Sequence, residues 1–222
     1  MTLTQPPARR SIAEVVGEAA GAHITALQRG YLADQSAAVA ALAQLRRGAG
    51  KVPEDMPGLW GISGTERLFT DRDMPSKEDD QARAEAAFFL AVTLYALHQQ
   101  SRPDRGMHQQ GAELGSAVRK LMPSGEIDEA IRRRFVRVGT ATTRASLAER
   151  LRHIVSLLHR ESIPLDYALL ARQLYQAQLP DGMRNVRRRW GRSYHAYRPT
   201  TSPADPSNGD AALTDTPEQD LR

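Results

Sequence analysis

The chain has 222 residues, a formal net charge of +4, 41% hydrophobic and 25% charged residues, enough apolar material for one domain or two small helical lobes. It has no cysteine, which excludes a disulfide scaffold, a Cys-ligated zinc site, an iron–sulfur cluster and a thiol nucleophile, and fits a reducing, cytoplasmic setting. Aromatic content of 5% is low for a β-sandwich or barrel, and 16 Gly with 13 Pro is ordinary usage that argues against wholesale disorder.

Met1 to Arg10 reads as a polar, flexible arm without the apolar run of a signal peptide. From Ser11 to Gly48, Ala, Leu and Gln recur with helical spacing, and Gly30 is expected to mark a break. Leu42 and Leu45, followed by Arg46, Arg47 and Gly48, give an i, i+3 apolar face, a basic last turn and a glycine stop. Gly48 to Pro75 (with KVPEDMPGLWGISGTERLF) reads as a long ordered loop, with Trp60 and Phe69 expected to pin it to the core.

Ser76 opens the clearest helix, with Asp79 three residues on as an Asp variant of a capping box. Ala84, Phe88, Ala91, Val92, Tyr95 and Leu97 give it a broad buried face. Its apolar run from Ala86 to Leu97 is far short of the ~20 residues that span a bilayer, so a soluble protein with no membrane partner is expected. After a turn at Arg102–Gly106, Leu114, Val118 and Leu121 mark a short helix that carries Arg119 and Lys120. Pro123–Gly125 then divides an N-terminal lobe (11–123) from a C-terminal lobe (124–198).

The C-terminal lobe reads as four helices. Ile127, Ile131, Phe135 and Val138 form one stripe, with Arg132 and Arg133 away from it and Arg134 nearer its edge. Ser146 and Glu149 make a capping box ahead of Leu147, Leu151, Ile154 and Leu158. Pro164 suits the first turn of the next helix, which turns Leu169, Leu170 and Leu174 inward. Pro180–Asp181 opens the last, with Met183, Val186, Trp190, Tyr194 and Tyr197 on one side and Arg184, Arg188 and Arg192 on the other. No segment alternates as a half-buried strand does, so the expected fold is all-α, a two-lobed helical bundle. Residues 199–222 read as a disordered acidic tail, inert or competing with nucleic acid for a basic surface.

Charge is concentrated. Residues 131–198 hold 15 Arg against 4 acids, net +11, while residues 1–130 are net −3 and residues 199–222 net −4. Such a field is the footprint of a polyanion partner. Only three of the 30 basic residues are Lys, and Arg grips phosphate bidentately and stacks on bases. RRRFVR and VRRRWGR (Arg187, Arg188, Arg189, Arg192) crowd like charges at spacings that cost helix stability. Residues 182–198 contain no acid to relieve them, so phosphate binding is the expected compensation. Trp190 and Tyr194 sit on the core stripe rather than where bases would stack.

Catalytic and metal chemistry find little support. The six histidines, His23, His98, His108, His153, His159 and His195, show no H-E-x-x-H or i, i+4 pairing. Asp71, Asp73, Glu78, Asp79 and Asp80 are oxygen ligands of the kind Mg²⁺ takes, yet Glu78 to Asp80 fall in a helix first turn where acids complement the dipole anyway. Phosphate-loop and dinucleotide fingerprints are absent, and Gly61-Ile62-Ser63-Gly64 lacks the strand–turn–helix context of a nucleophile elbow. No cofactor is expected.

The runs LAQLRRGAGKVP, FFLAVTLYALHQQ, GAELGSAVRKL, RRRFVRV, LAERLRHIVSLLHRESIPLDYALLARQL and VRRRWGRSYH occur in this order. Together they resemble the small-subunit (CasB) family of the type I-E CRISPR Cascade complex over roughly residues 34 to 198. The segment before residue 34 and the acidic tail match no motif of it. The resemblance implies a non-catalytic, all-α, two-lobe subunit that assembles as a pair. Its partners would be the guide RNA, the target DNA, the backbone subunits and the large, motif-reading subunit, and it would steady the displaced strand of an R-loop. Carried over by motif are Arg46 and Arg47, with Lys51 in the same run; Arg119 and Lys120; Arg132, Arg134 and Arg137; and Arg187, Arg188 and Arg192. Arg144, Arg150 and Arg152 join them on charge alone. R-loops form near energetic balance, so backbone contacts can tip them without any base-reading device. Two other readings are a stand-alone helical DNA-binding regulator, whose recognition helix needs small and amide residues among basic ones, and a metal-dependent nuclease built on Asp71, Asp73, Asp79 and Asp80.

Overall fold

The computed structural model describes residues 9–123 and 126–197. The acidic tail and most of the N-terminal arm lie outside the described residues. Nine α-helices occur among them: α1 (Ile12–Leu32), α2 (Ser36–Leu45), α3 (Glu66–Phe69), α4 (Glu78–Gln99), α5 (Leu114–Lys120), α6 (Glu129–Gly139), α7 (Arg144–Arg160), α8 (Tyr167–Ala177) and α9 (Gly182–Ala196). No strand accompanies them among the described residues, only an isolated bridge between His108 and Leu165. The fold is an all-α helical bundle. None of its described helices is long and apolar enough to cross a membrane.

α4 is the central rod. It is buried almost all round from Ala86 to Ala96, rather than on one face, because α1, α7 and α8 surround it. Val16, Ala20 and Ile24 of α1, Phe88, Leu94 and Tyr95 of α4, Leu151, Ile154 and Leu158 of α7, and Leu170 and Leu174 of α8 share one core. Each such side chain contributes about 1.5–3 kcal/mol by leaving water. That core is continuous across position 124, where the sequence suggests a division. Thr93 and Gln99 are polar groups inside it that find partners. Thr93 Oγ1 donates to the Phe89 carbonyl (2.9 Å). Gln99 donates to the Arg102 and Arg105 carbonyls (2.7 and 2.8 Å) and accepts from Met107 N–H (2.8 Å), tying down the turn after α4.

Several local expectations need correction. α1 runs through Gly30 without a break; the glycine is there for close approach, since a Cβ on it would lie 2.8 Å from Ala38 Cβ of α2. α4 starts with Lys77 as its N-cap and no side-chain cap, so Ser76 does not open it; Glu78, Asp79 and Asp80 serve its dipole instead. The capping box of α7 is Thr143 with Ser146, three residues before Ser146–Glu149. Pro164 lies ahead of α8, whose cap is Asp166 accepting from Leu169 N–H (2.9 Å). The neighbouring Leu165 is held extended by bonds to Met107 and Gln109. Ile127 is outside α6 and exposed, while Asp128 caps that helix.

The long loop is ordered by short 3₁₀ turns at Pro53–Asp55 and Pro57–Leu59 and by α3. Its pins, however, are Leu59 and Leu68, both buried, and not Trp60 and Phe69, which are 72% and 50% exposed. The buried residue is in each case one position earlier than expected.

Candidate nucleic-acid interface

The two acids Asp71 and Asp73 are not an open ligand set. Arg10 donates to both Asp71 oxygens (2.7 and 2.8 Å), to Asp73 (2.9 Å) and to Glu18, so the end of the arm is fastened here. The Arg10 hydrogen bond holds the Asp73 carboxyl below its usual range. Asp80 is taken by Arg83 at 3.0 Å, with Asp79 at 3.9 Å.

The predicted basic residues fall into three groups. The first joins the segment after α2 to α7. Gly50, at φ +81°, brings its backbone against the stem of Arg152: a Cβ there would meet Arg152 Cδ at 2.7 Å. Lys51 and Arg144 line one cleft together, and Arg144 reaches Glu54 at 3.7 Å. Arg46 donates to Gln100 (3.3 Å), and Arg47 stands exposed nearby in sequence. Lys51 therefore meets Arg144, and its neighbour Gly50 meets Arg152, across about a hundred residues of sequence.

The second group lines a groove between α6 and α7. Arg134, Arg137, Arg150 and Arg160 form its walls with His153 and one acid, Glu149. Arg150 donates to the Arg137 carbonyl in the last turn of α6, which fixes one helix against the other. Arg160 and His153 were missing from the sequence-based set. Their signal is the spacing 150, 153, 157, 160, one face of a helix. Arg132, by contrast, is spent on Glu129 in a two-pronged bond (2.8 and 2.9 Å) that pulls the glutamate's pKa down.

The third group is α9. Val186, Trp190 and Tyr194 are buried, and Arg184, Arg187, Arg188, Arg189 and Arg192 are exposed. Trp190 Nε1 donates to Gln173 (2.6 Å), and Tyr194 stacks on Phe135 at 5.6 Å. These contacts hold the helix down, so its arginines face outward. Arg188, Arg189 and Arg192 line a groove beside the end of α8, while the Arg187 stem lies 3.4 Å from where a Cβ on Gly139 of α6 would be. Among the described residues, the one ion pair to an arginine of this helix is at its start, Asp181 to Arg184 at 3.7 Å. Arg119 and Lys120 sit at the end of α5, which packs on α9. Arg119 donates to the Pro123 carbonyl (3.3 Å) and Lys120 lies 5.8 Å over the Tyr197 ring.

Exposed guanidinium groups on helices anchored from beneath present the planar donor sets that phosphate oxygens accept. Comparison with known proteins agrees with an established lineage. A family model described as CRISPR-associated protein Cse2 matches residues 41–195. The crystal structure of CasB from Thermobifida fusca is 53% identical, covering 82% of this chain and 98% of that one with a TM-score of 0.75. A chain of a CRISPR RNA-guided surveillance complex shares the fold at 22% identity, with 81% and 93% coverage and a TM-score of 0.58. No curated protein sequence matches.

Proposed function

The chain belongs to the CRISPR-associated protein Cse2 family, and on that premise we propose that it is a non-catalytic small subunit of a CRISPR Cascade surveillance complex that holds nucleic-acid backbone. In this reading the arginine surfaces grip the displaced target strand, and possible contacts with guide RNA use the same phosphate chemistry. Assembly brings it beside the backbone subunits, the large subunit and a second copy of itself. The observation that carries the reading is α9: five exposed arginines, anchored by Trp190 and Tyr194, with no acid inside the helix and Asp181 at its N-cap. Like charges so close repel, and a polyanion relieves that repulsion. Exchanging a DNA duplex for a guide heteroduplex is nearly balanced in energy, so a few phosphate contacts on the freed strand prolong the open state.

The test is the lifetime of the R-loop in the assembled complex, with permanganate reactivity of displaced-strand thymines read alongside. Replacing Arg187, Arg188 and Arg192 by Ala leaves assembly intact, shortens the lifetime and raises thymine reactivity. Unchanged lifetime and reactivity in a complex that contains the folded variant contradict the proposal.

A further inference from the structure

Trp60 is unexplained by the fold. It is 72% exposed, whereas the other tryptophan, Trp190, is 2% exposed and hydrogen-bonded. Nor is Trp60 at a loose tip. It ends the 3₁₀ turn Pro57–Leu59, its N–H donates to the Pro57 carbonyl (3.1 Å), and its neighbour Leu59 is 3% exposed. The Leu59 side chain packs on the backbone of Gly48, Cδ1 lying 2.9 Å from where a Cβ would be. The hydrogen-bonded turn that exposes the indole is therefore packed against the segment that carries Arg46, Arg47 and Lys51.

Charge around it favours an anionic partner. Among the described residues Arg46, Arg47 and Lys51 form no salt bridge, while Glu54 is drawn to Arg144. Asp55 alone remains as an unbridged carboxylate in residues 46–60 of the described chain. A flat, amphipathic ring next to unpaired cations is the pairing that proteins use on single strands: cations track phosphates while the ring stacks on a base. We infer that Trp60 stacks on an unpaired base of a strand whose phosphates Arg46, Arg47 and Lys51 hold. This rests on the proposed strand-holding function and gives it a second contact, with bases rather than backbone, yet without sequence preference because every base has a π-face.

The full chain is titrated at low salt with a labelled oligothymidine and with an abasic strand of equal length. Strand anisotropy reports binding, and indole emission reports stacking. Trp190 is buried, so quenching of the long-wavelength emission reports Trp60. Oligothymidine quenches that emission, and the abasic strand binds without quenching. Trp60→Ala weakens oligothymidine binding by about tenfold, as expected for the loss of one stacked base, and Trp60→Phe restores most of it while abolishing the quench. Binding without quenching, or quenching that survives in Trp60→Phe, overturns the assignment and leaves strand holding intact. Trp60→Ala that binds strands normally but fails to join the complex also overturns it, making Trp60 a protein contact. Absence of binding to either strand overturns the stacking and the strand-holding reading together.

Discussion

The α-carbon of Gly50 lies against the stem of Arg152, so a residue of the loop after α2 and one in the middle of α7 share a contact that leaves no room for a side chain. Gly50 also has φ +81°, a conformation that costs an L-residue roughly 1 kcal/mol or more. Gly50→Ala is expected to lower stability by about 1–3 kcal/mol and to displace the Arg152 guanidinium. Gly58→Ala, where nothing lies within 4 Å, is the control and should change the melting temperature little. Thermal unfolding of the pair checks this.

Trp190 anchors the arginine helix through its bond to buried Gln173. Trp190→Phe removes ring volume and leaves the Gln173 oxygen without its donor, at an expected cost of about 2–4 kcal/mol. Because α9 then loosens, strand affinity should fall although no arginine is changed. Denaturant unfolding and strand binding of the same variant test both parts.

His98 is fully buried, and burial pulls its pKa down to about 3. Its Nδ1 lies 2.9 Å from the Tyr167 hydroxyl, which is 3.4 Å from the Leu94 carbonyl. The ring is held neutral, with Nδ1 and the Tyr167 hydroxyl sharing one hydrogen bond. In the unfolded chain the same group titrates near ~6.5. Below that pH the unfolded state binds a proton the folded state refuses, so stability falls as pH drops from about 6.5 and is flat above it. His23, whose pKa is also lowered by burial, acts in the same direction. Melting temperature against pH should show this slope, and His98→Gln should reduce it.

Most helices were legible because their apolar residues recur at helical spacing: Leu147, Leu151, Ile154 and Leu158 are all buried, as are Val186, Trp190 and Tyr194. Loop residues carry no such period, which is why Trp60 and Phe69 were expected inside and Leu59 and Leu68 are found there. Capping misread by one turn at α7 for a related reason, since Thr143, Ser146 and Glu149 offer two overlapping boxes and only packing selects one. Of the basic residues, clusters on a single helix were visible from charge alone. The meeting of Lys51 with Arg144, of Gly50 with Arg152, and of Arg150 and Arg160 with Arg134 and Arg137, depends on tertiary contacts between α7 and its neighbours. The pairing of Arg132 with Glu129 was readable as an i, i+3 pair, yet its two-pronged geometry was not.

The α6–α7 groove and the α9 surface should contribute separately. Arg134→Ala with Arg150→Ala is expected to weaken strand binding. The α9 substitutions should add to it, because the sets share no partner among the described contacts. Electrophoretic binding of the two variants and their combination tests that additivity.

The central claim, phosphate holding by the arginine surfaces, is met most directly by a salt titration of single-strand binding to the folded chain and to Arg187→Ala/Arg188→Ala/Arg192→Ala. The account predicts a steep loss of affinity with salt and a log–log slope shallower by roughly 2 in the variant, about 0.7 for each phosphate contact removed. Equal slopes for the two proteins would contradict it.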